Sequence, residues 1–131
     1  MTELFINYKY QRKLFHYETD ADGVCHASNY LRLFEESMES FFDSKGIILS
    51  NQLVISHSDI HYIKSIRTKS VFSININKIY LNRAYMIFDV EIYNLNEEKL
   101  TRMKIKLVEV SRDSQVPMPI SSHIKNKLTK D

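Results

Sequence analysis

From Leu53 onward, apolar and polar positions alternate. Leu53, Ile55, His57, Asp59, His61 and Ile63 fall on one parity, with Val54, Ser56, Ser58, Ile60 and Tyr62 on the other. Phe72, Ile74 and Ile76 then alternate with Ser73, Asn75 and Asn77. Met86, Phe88, Val90 and Ile92 alternate with Tyr85, Ile87, Asp89, Glu91 and Tyr93, and Met103, Ile105 and Leu107 alternate with Arg102, Lys104 and Lys106. A period of two puts every second side chain on one face of a strand. The pattern predicts four half-buried strands in an antiparallel meander. Polar turns at Leu81-Asn82-Arg83 and at 94–98 join them. Val116-Pro117-Met118-Pro119 ends the sheet, and Ser121 to Leu128 forms a short helix.

Upstream the period lengthens. Leu31, Phe34, Met38, Phe41 and Phe42 recur at spacings of three and four, which predicts a helix over 27–45. Glu35, Glu36, Glu39 and Asp43 give it a polar side, while Tyr30 and Leu33 widen the apolar stripe, so the helix is expected to be well covered. Ser28 or Asn29 is placed to cap its start, and Gly46 to end it. Before it, residues 4–17 carry Phe5, Ile6, Tyr8, Tyr10, Leu14, Phe15 and Tyr17, which predicts a first strand with Lys9, Arg12 and Lys13 on a solvated face. The order is strand, long helix, four strands. That is an α+β arrangement: one long central helix wrapped by a five-stranded antiparallel sheet.

Composition narrows the partners. The 131 residues are 44% hydrophobic, which suits a single domain over 1–131. A net charge of +2 gives no nucleic-acid or membrane-surface signal. No apolar stretch approaches the roughly 18 residues of a membrane span. One cysteine makes no internal disulfide, and the N-terminus lacks a basic-then-apolar leader, so a cytoplasmic location is expected.

The candidate chemistry lies just before the helix. Asp20-Ala21-Asp22-Gly23 places a carboxylate on a tight loop where a helix N-terminus offers unpaired N–H groups and partial positive charge. A carboxylate can serve as base or nucleophile, and the N–H groups can hold a developing oxyanion. The competing explanation is a carboxylate that only caps the helix. Asp22 is expected to face solvent, Cys25 to be a small core residue, and His26 either to pack or to meet substrate. His57, Asp59 and His61 share a strand face and could form a metal cluster, though structural or exposed roles are commoner for such residues.

The stretch Glu18-Thr19-Asp20-Ala21-Asp22-Gly23-Val24 followed by Asn29-Tyr30-Leu31-Arg32-Leu33-Phe34-Glu35 resembles hotdog-fold acyl-CoA thioesterases of the 4-hydroxybenzoyl-CoA thioesterase type. Those carry Asp-Thr-Asp-x-x-Gly-x-Val-Tyr-x-x-Asn-Tyr-Leu-Arg-x-Phe-Glu or close variants, without a gap between the aspartate and the tyrosine. The resemblance is residue-specific over 18–36, with a weaker echo at Tyr62-Ile63-Lys64-Ser65-Ile66-Arg67. There relatives have Tyr-x-Lys-Pro-Ala-Arg followed by Gly-Asp, where this chain has Lys69 and Ser70, so a differently shaped loop is expected.

The resemblance implies a hotdog fold and hydrolysis of an acyl-CoA or acyl-carrier-protein thioester. It implies Asp20 as the catalytic carboxylate and the Ala27 N–H as oxyanion donor, with no metal or other cofactor required. His26 stands where relatives have tyrosine, one place before the histidine of a subset. With Tyr30 it is a substrate-contact candidate, and Lys64, Arg67 and Lys69 are candidates for the phosphates of coenzyme A, or simply a solvated loop. A homodimer or homotetramer is implied, with the site at the shared boundary. Two other hotdog classes compete: a non-catalytic acyl-CoA-binding module, and a dehydratase, whose His–acid motifs are not found here.

Overall fold

The computed structural model describes residues 2–130. In chain order it has β1 (Thr2–Lys13), 3-10 turns at His16–Glu18 and Ala27–Asn29, α1 (Tyr30–Lys45), β2 (Gln52–Tyr62), β3 (Val71–Leu81), β4 (Met86–Asn94), β5 (Lys99–Val110), β6 (Pro117–Met118) and α2 (Ser122–Thr129). The main sheet runs β1-β3-β4-β5-β2, and the short β6 pairs with β5. Every pairing is antiparallel. α1 lies on the inner face of this sheet, which is the hotdog arrangement. Its Leu33, Phe34, Met38, Phe41 and Phe42 are buried against Phe72, Ile74, Ile76, Phe88, Val90, Ile92, Met103 and Ile105. Phe34 meets Phe88 edge-on, with centroids 5.4 Å apart. Each such side chain contributes roughly 1.5–3 kcal/mol by leaving water.

Three expectations change. The meander holds for β3, β4 and β5 only. β2 crosses to the far edge and pairs with β5, from Gln52 opposite Val110 to Tyr62 opposite Thr101. The free side of β3 is already taken by β1 along its length, Thr2 opposite Leu81 through Lys13 opposite Val71. Alternation shows which residues share a face, not which strands are neighbours.

The single parity expected across β2 is also broken. A bulge between Ile55 and His57 shifts the register by one residue. Leu53, Ile55 and Ile60 are therefore the partly buried residues packed on the core. His57, Asp59 and His61 stand opposite Lys106, Lys104 and Arg102. Further bulges interrupt β1 between Phe5 and Tyr8 and β3 between Ile76 and Lys78. Extra residues of this kind bend and twist a strand, which helps a sheet wrap a helix.

The third change is at the end of β1. The strand stops at Lys13, and 16–18 close a 3-10 turn rather than extending it. Glu18 causes this locally, because its carboxylate accepts the Phe15 N–H at 2.9 Å. Arg12 belongs to the inward parity of Tyr8 and Tyr10, not to the solvated face of Lys9 and Lys13.

A left-handed residue shapes the loop before β3. Lys69 adopts φ +61°, the left-handed region, at the place where relatives have glycine. Its N–H bonds the Leu14 carbonyl at 2.9 Å, which holds the residue in that conformation. An L side chain there costs roughly 1–2 kcal/mol, partly offset by the greater freedom glycine loses on folding. Lys69→Gly should therefore raise stability by about 0.5–1 kcal/mol, a shift of a few degrees in a thermal melt. A lower melting temperature would contradict the assigned backbone conformation.

Candidate active site

The chain turns back on itself at 19–25. Thr19 and Cys25 form an antiparallel bridge, the Asp20 N–H bonds the Val24 carbonyl at 2.9 Å, and the Gly23 N–H bonds the Asp20 carbonyl at 3.1 Å. Gly23 closes this turn at φ +77°, a conformation glycine adopts without strain. Asp20 Oδ1 accepts the Asp22 N–H at 2.9 Å and the Val24 N–H at 3.4 Å. Among the described residues, its Oδ2 has no hydrogen-bond donor. The Asp22 side chain is exposed.

The start of the helix differs in detail from expectation. A 3-10 turn at Ala27–Asn29 precedes α1. His26 is its N-cap, and the ring Nδ1 accepts the Ser28 N–H at 3.1 Å. The expected cap residues have other work: the Ser28 hydroxyl meets the same Nδ1 at 2.8 Å, and the Asn29 amide donates to the Glu18 carbonyl at 2.8 Å. His26 is exposed, so it does not pack in the core. The first residue of a helical turn has no acceptor for its N–H within the turn. The Ala27 N–H has none among the described residues. At the other end, Gly46 caps α1 as expected, at φ 68°.

Asp20 and Ala27 line one open cleft of about 310 Å³. Cys25 and Tyr30 form part of its wall, and Tyr62, Ile63, Lys64 and Ser65 complete it. Tyr30 is buried and meets Tyr62 edge-on at 4.9 Å. Burial pushes its hydroxyl pKa up to about 12, and the nearby Cys25 and Tyr62 add to the effect. Burial likewise pushes the Cys25 thiol up to about 11, with the Glu18 carboxylate adding. Cys25 is thus a thiol at neutral pH and a poor nucleophile.

Of the residues singled out from the sequence, the cleft gathers Asp20, Ala27, Tyr30 and Lys64. His26 and Arg67 are not among its lining residues. Lys64 is ion-paired with Glu98. Arg67 is exposed, its backbone bridged to Val24, and it has no ion pair among the described residues. His57, Asp59 and His61 stand away from the cleft, on β2 opposite a row of cations, with a His61–Asp59 contact of 3.3 Å.

Sequence reasoning missed the charges gathered around Glu18. Glu18 is 1% exposed and ion-pairs with both Arg12 and Arg32, and Arg12 also donates to Glu36 at 2.8 and 2.9 Å. The available signal was Arg12 sharing the inward parity of Tyr8 and Tyr10.

Comparison with known proteins is decisive for the family. The family model of the thioesterase-like superfamily matches residues 15–128. The chain belongs to the thioesterase-like superfamily. Membership makes it a thioester hydrolase. A relative named "Putative esterase", from Aquifex aeolicus (strain VF5), is 30% identical over 117 residues, covering 79% of this chain and 91% of its own. A solved Aquifex aeolicus protein superposes with a TM-score of 0.83 at 27% identity, over 92% of this chain and 98% of that one. The 1,4-dihydroxy-2-naphthoyl-CoA thioesterase of Synechocystis shares the fold of this thioesterase-like chain, with a TM-score of 0.83 at 19% identity over 93% and 95% of the two chains. No helix among the described residues is long and apolar enough to cross a membrane.

Proposed function

We propose that this protein hydrolyses an acyl-CoA or acyl-carrier-protein thioester to the free acid and thiol. Asp20 acts as general base or nucleophile, and the Ala27 N–H as oxyanion donor. One observation carries the assignment. Asp20, whose Oδ2 has no donor among the described residues, and Ala27, whose N–H has no acceptor among them, line the same cleft. The Asp22 and Val24 N–H groups hold Oδ1, which fixes the carboxylate and leaves Oδ2 free to work.

In the base route, Asp20 takes a proton from water and the oxygen of that water bonds to the thioester carbonyl carbon. In the nucleophile route, Asp20 itself forms that bond, the thiolate leaves, and water cleaves the resulting anhydride. Both routes put negative charge on the carbonyl oxygen, and both expel a thiolate, which is a good leaving group. One oriented N–H is typically worth 100-fold or more to such a step.

Tyr30 and Tyr62 give the cleft an aromatic wall that suits an apolar acyl or pantetheine portion. Arg67, exposed and without an ion pair among the described residues, is freer to meet a phosphate than Lys64, which lines the cleft but is shared with Glu98. A Staphylococcus aureus protein of the same fold was solved in complex with CoA, superposing with a TM-score of 0.79 at 10% identity over 95% of this chain and 82% of that one. That supports the CoA ester as the first carrier to try.

The test is thiol release from a panel of acyl-CoAs, followed by free-thiol reagent. Turnover of one or more esters supports hydrolysis. Saturable binding of acyl-CoA without thiol release from any CoA or carrier-protein ester would instead favour a binding module.

The same reading includes a homodimer or homotetramer. β2 is an edge strand whose outer backbone groups have no partner strand among the described residues, and Val54, Tyr62 and Ile63 are exposed along it or just past it. Sedimentation at micromolar concentration should return two or four times the chain mass of 15.5 kDa. A single-chain mass would contradict assembly.

A further inference from the structure

Glu18 is a buried carboxylate on which three parts of the chain converge. Its Oε1 accepts the Phe15 N–H at 2.9 Å and pairs with Arg12 from β1. Its Oε2 accepts from Arg32 of α1 at 3.1 Å. Arg12 continues to Glu36, one turn further along α1. The main chain of Glu18 is tied just as firmly: its carbonyl accepts the His26 N–H at 3.0 Å and the Asn29 amide at 2.8 Å. Arg32 also reaches Asn29 Oδ1 at 3.1 Å.

These bonds bracket the candidate catalytic pair. Asp20 is two residues after Glu18, and Ala27 is one residue after the His26 whose N–H the Glu18 carbonyl holds. The Thr19–Cys25 bridge closes the rest of the loop. The far side of the loop is tied to 66–68, where the Cys25 N–H bonds the Ile66 carbonyl and the Thr68 N–H bonds the Gly23 carbonyl, both at 2.8 Å, so Glu18 is the side-chain link from the loop to β1 and α1. Phe15 and Tyr17, on either side of His16, are exposed, as is Asp22 at the loop tip. We infer that Glu18 is a positioning residue. Clamped between Arg12 and Arg32, it sets the distance between the Asp20 carboxylate and the Ala27 N–H, and so acts on the rate through both without touching substrate. This inference rests on the assignment of Asp20 and Ala27 above.

The clamp has a kinetic signature. A buried fastening that served stability alone would lower the melting temperature and leave the turnover of folded protein unchanged. A fastening that sets the geometry of reacting groups lowers kcat while leaving KM nearly alone, because substrate is bound by other surfaces. Misplacement by about 1 Å can cost on the order of 100-fold.

The experiment compares wild type, Glu18→Gln, Arg32→Gln and Asp20→Asn by steady-state kinetics, thermal melting and amide hydrogen exchange. Glu18→Gln keeps the shape and an oxygen for the Phe15 N–H but removes the charge that the two arginines share. Arg32→Gln is the milder probe, because that arginine is 49% exposed and Arg12 remains on Glu18. The expected result is a fall in kcat on the order of tenfold or more for Glu18→Gln, and a smaller fall for Arg32→Gln. KM should stay within about twofold, and exchange at the Asp22 and Val24 amides should quicken while β3 to β5 stay protected.

Wild-type kcat in folded Glu18→Gln and Arg32→Gln, with Asp20→Asn inactive, would overturn the inference alone. Full activity in Asp20→Asn would overturn the assignment it rests on. If Glu18→Gln fails to fold, Arg32→Gln decides by the same kcat measurement. If no ester is turned over, unchanged exchange at Asp22 and Val24 in the folded variants overturns the clamp, and selective quickening supports it.

Discussion

Asp20→Asn is expected to lower kcat by about 100- to 10,000-fold on any acyl thioester the protein turns over, the range typical for removing a general base. The amide keeps an oxygen where Oδ1 accepts the Asp22 and Val24 N–H groups, so the loop retains its bonds. What it loses is the negative charge that the proposed base or nucleophile requires. The melting temperature should therefore stay close to that of the wild type while the rate collapses. Steady-state kinetics beside a thermal melt check this. Equal rates in the two proteins would remove Asp20 from the chemistry and leave it as a loop-forming residue.

The second large effect concerns a backbone atom, which ordinary side-chain substitution does not reach. Ala27→Pro deletes the N–H and puts the ring Cδ in place of its hydrogen. Proline is well tolerated at the first position of a helical turn, where the N–H has no partner within the turn. The preceding residue must be extended, and His26 already is, at φ −67° and ψ 139°. The variant should fold and lose about 100- to 1,000-fold in kcat, as expected for removal of one oxyanion donor. Ala27→Gly is the control, because it keeps the N–H, and its rate should stay within a few-fold of wild type. Wild-type kcat in a folded Ala27→Pro protein would show that another group holds the oxyanion.

The two variants examine opposite ends of one short segment, Asp20 to Ala27. Much of that segment was legible. The spacing of Leu31, Phe34, Met38 and Phe41 gave α1, and the Glu-Thr-Asp to Asn-Tyr-Leu-Arg run placed Asp20 before it. The inward residues of β3, β4 and β5 followed from their alternation. β2 was less legible, since one extra residue near Ser56 reverses its faces and no composition signal marks a bulge. Its place at the far edge was hidden for a different reason: strand order depends on which edges the rest of the sheet leaves open.

Charge misled the reading of Arg12. Between Lys9 and Lys13 it looks like part of a solvated face, yet its parity is that of Tyr8 and Tyr10. An arginine drawn largely out of water requires a partner, because an unpaired charge away from water is strongly unfavourable. Glu18, within the same motif as Asp20, is that partner. The cap of the helical turn was missed because a histidine ring nitrogen took the role usually held by serine or asparagine.

A thioester carbonyl is expected to dock between the Asp20 carboxylate and the Ala27 N–H. The test is a crystal structure with a non-hydrolysable acyl-CoA analogue, its thioester sulfur replaced by methylene. The analogue's carbonyl oxygen is expected within about 3 Å of the Ala27 nitrogen, with the carbonyl carbon facing Asp20 directly or through one water. An ordered analogue whose carbonyl oxygen bonds a different donor, with Asp20 out of reach, would contradict it.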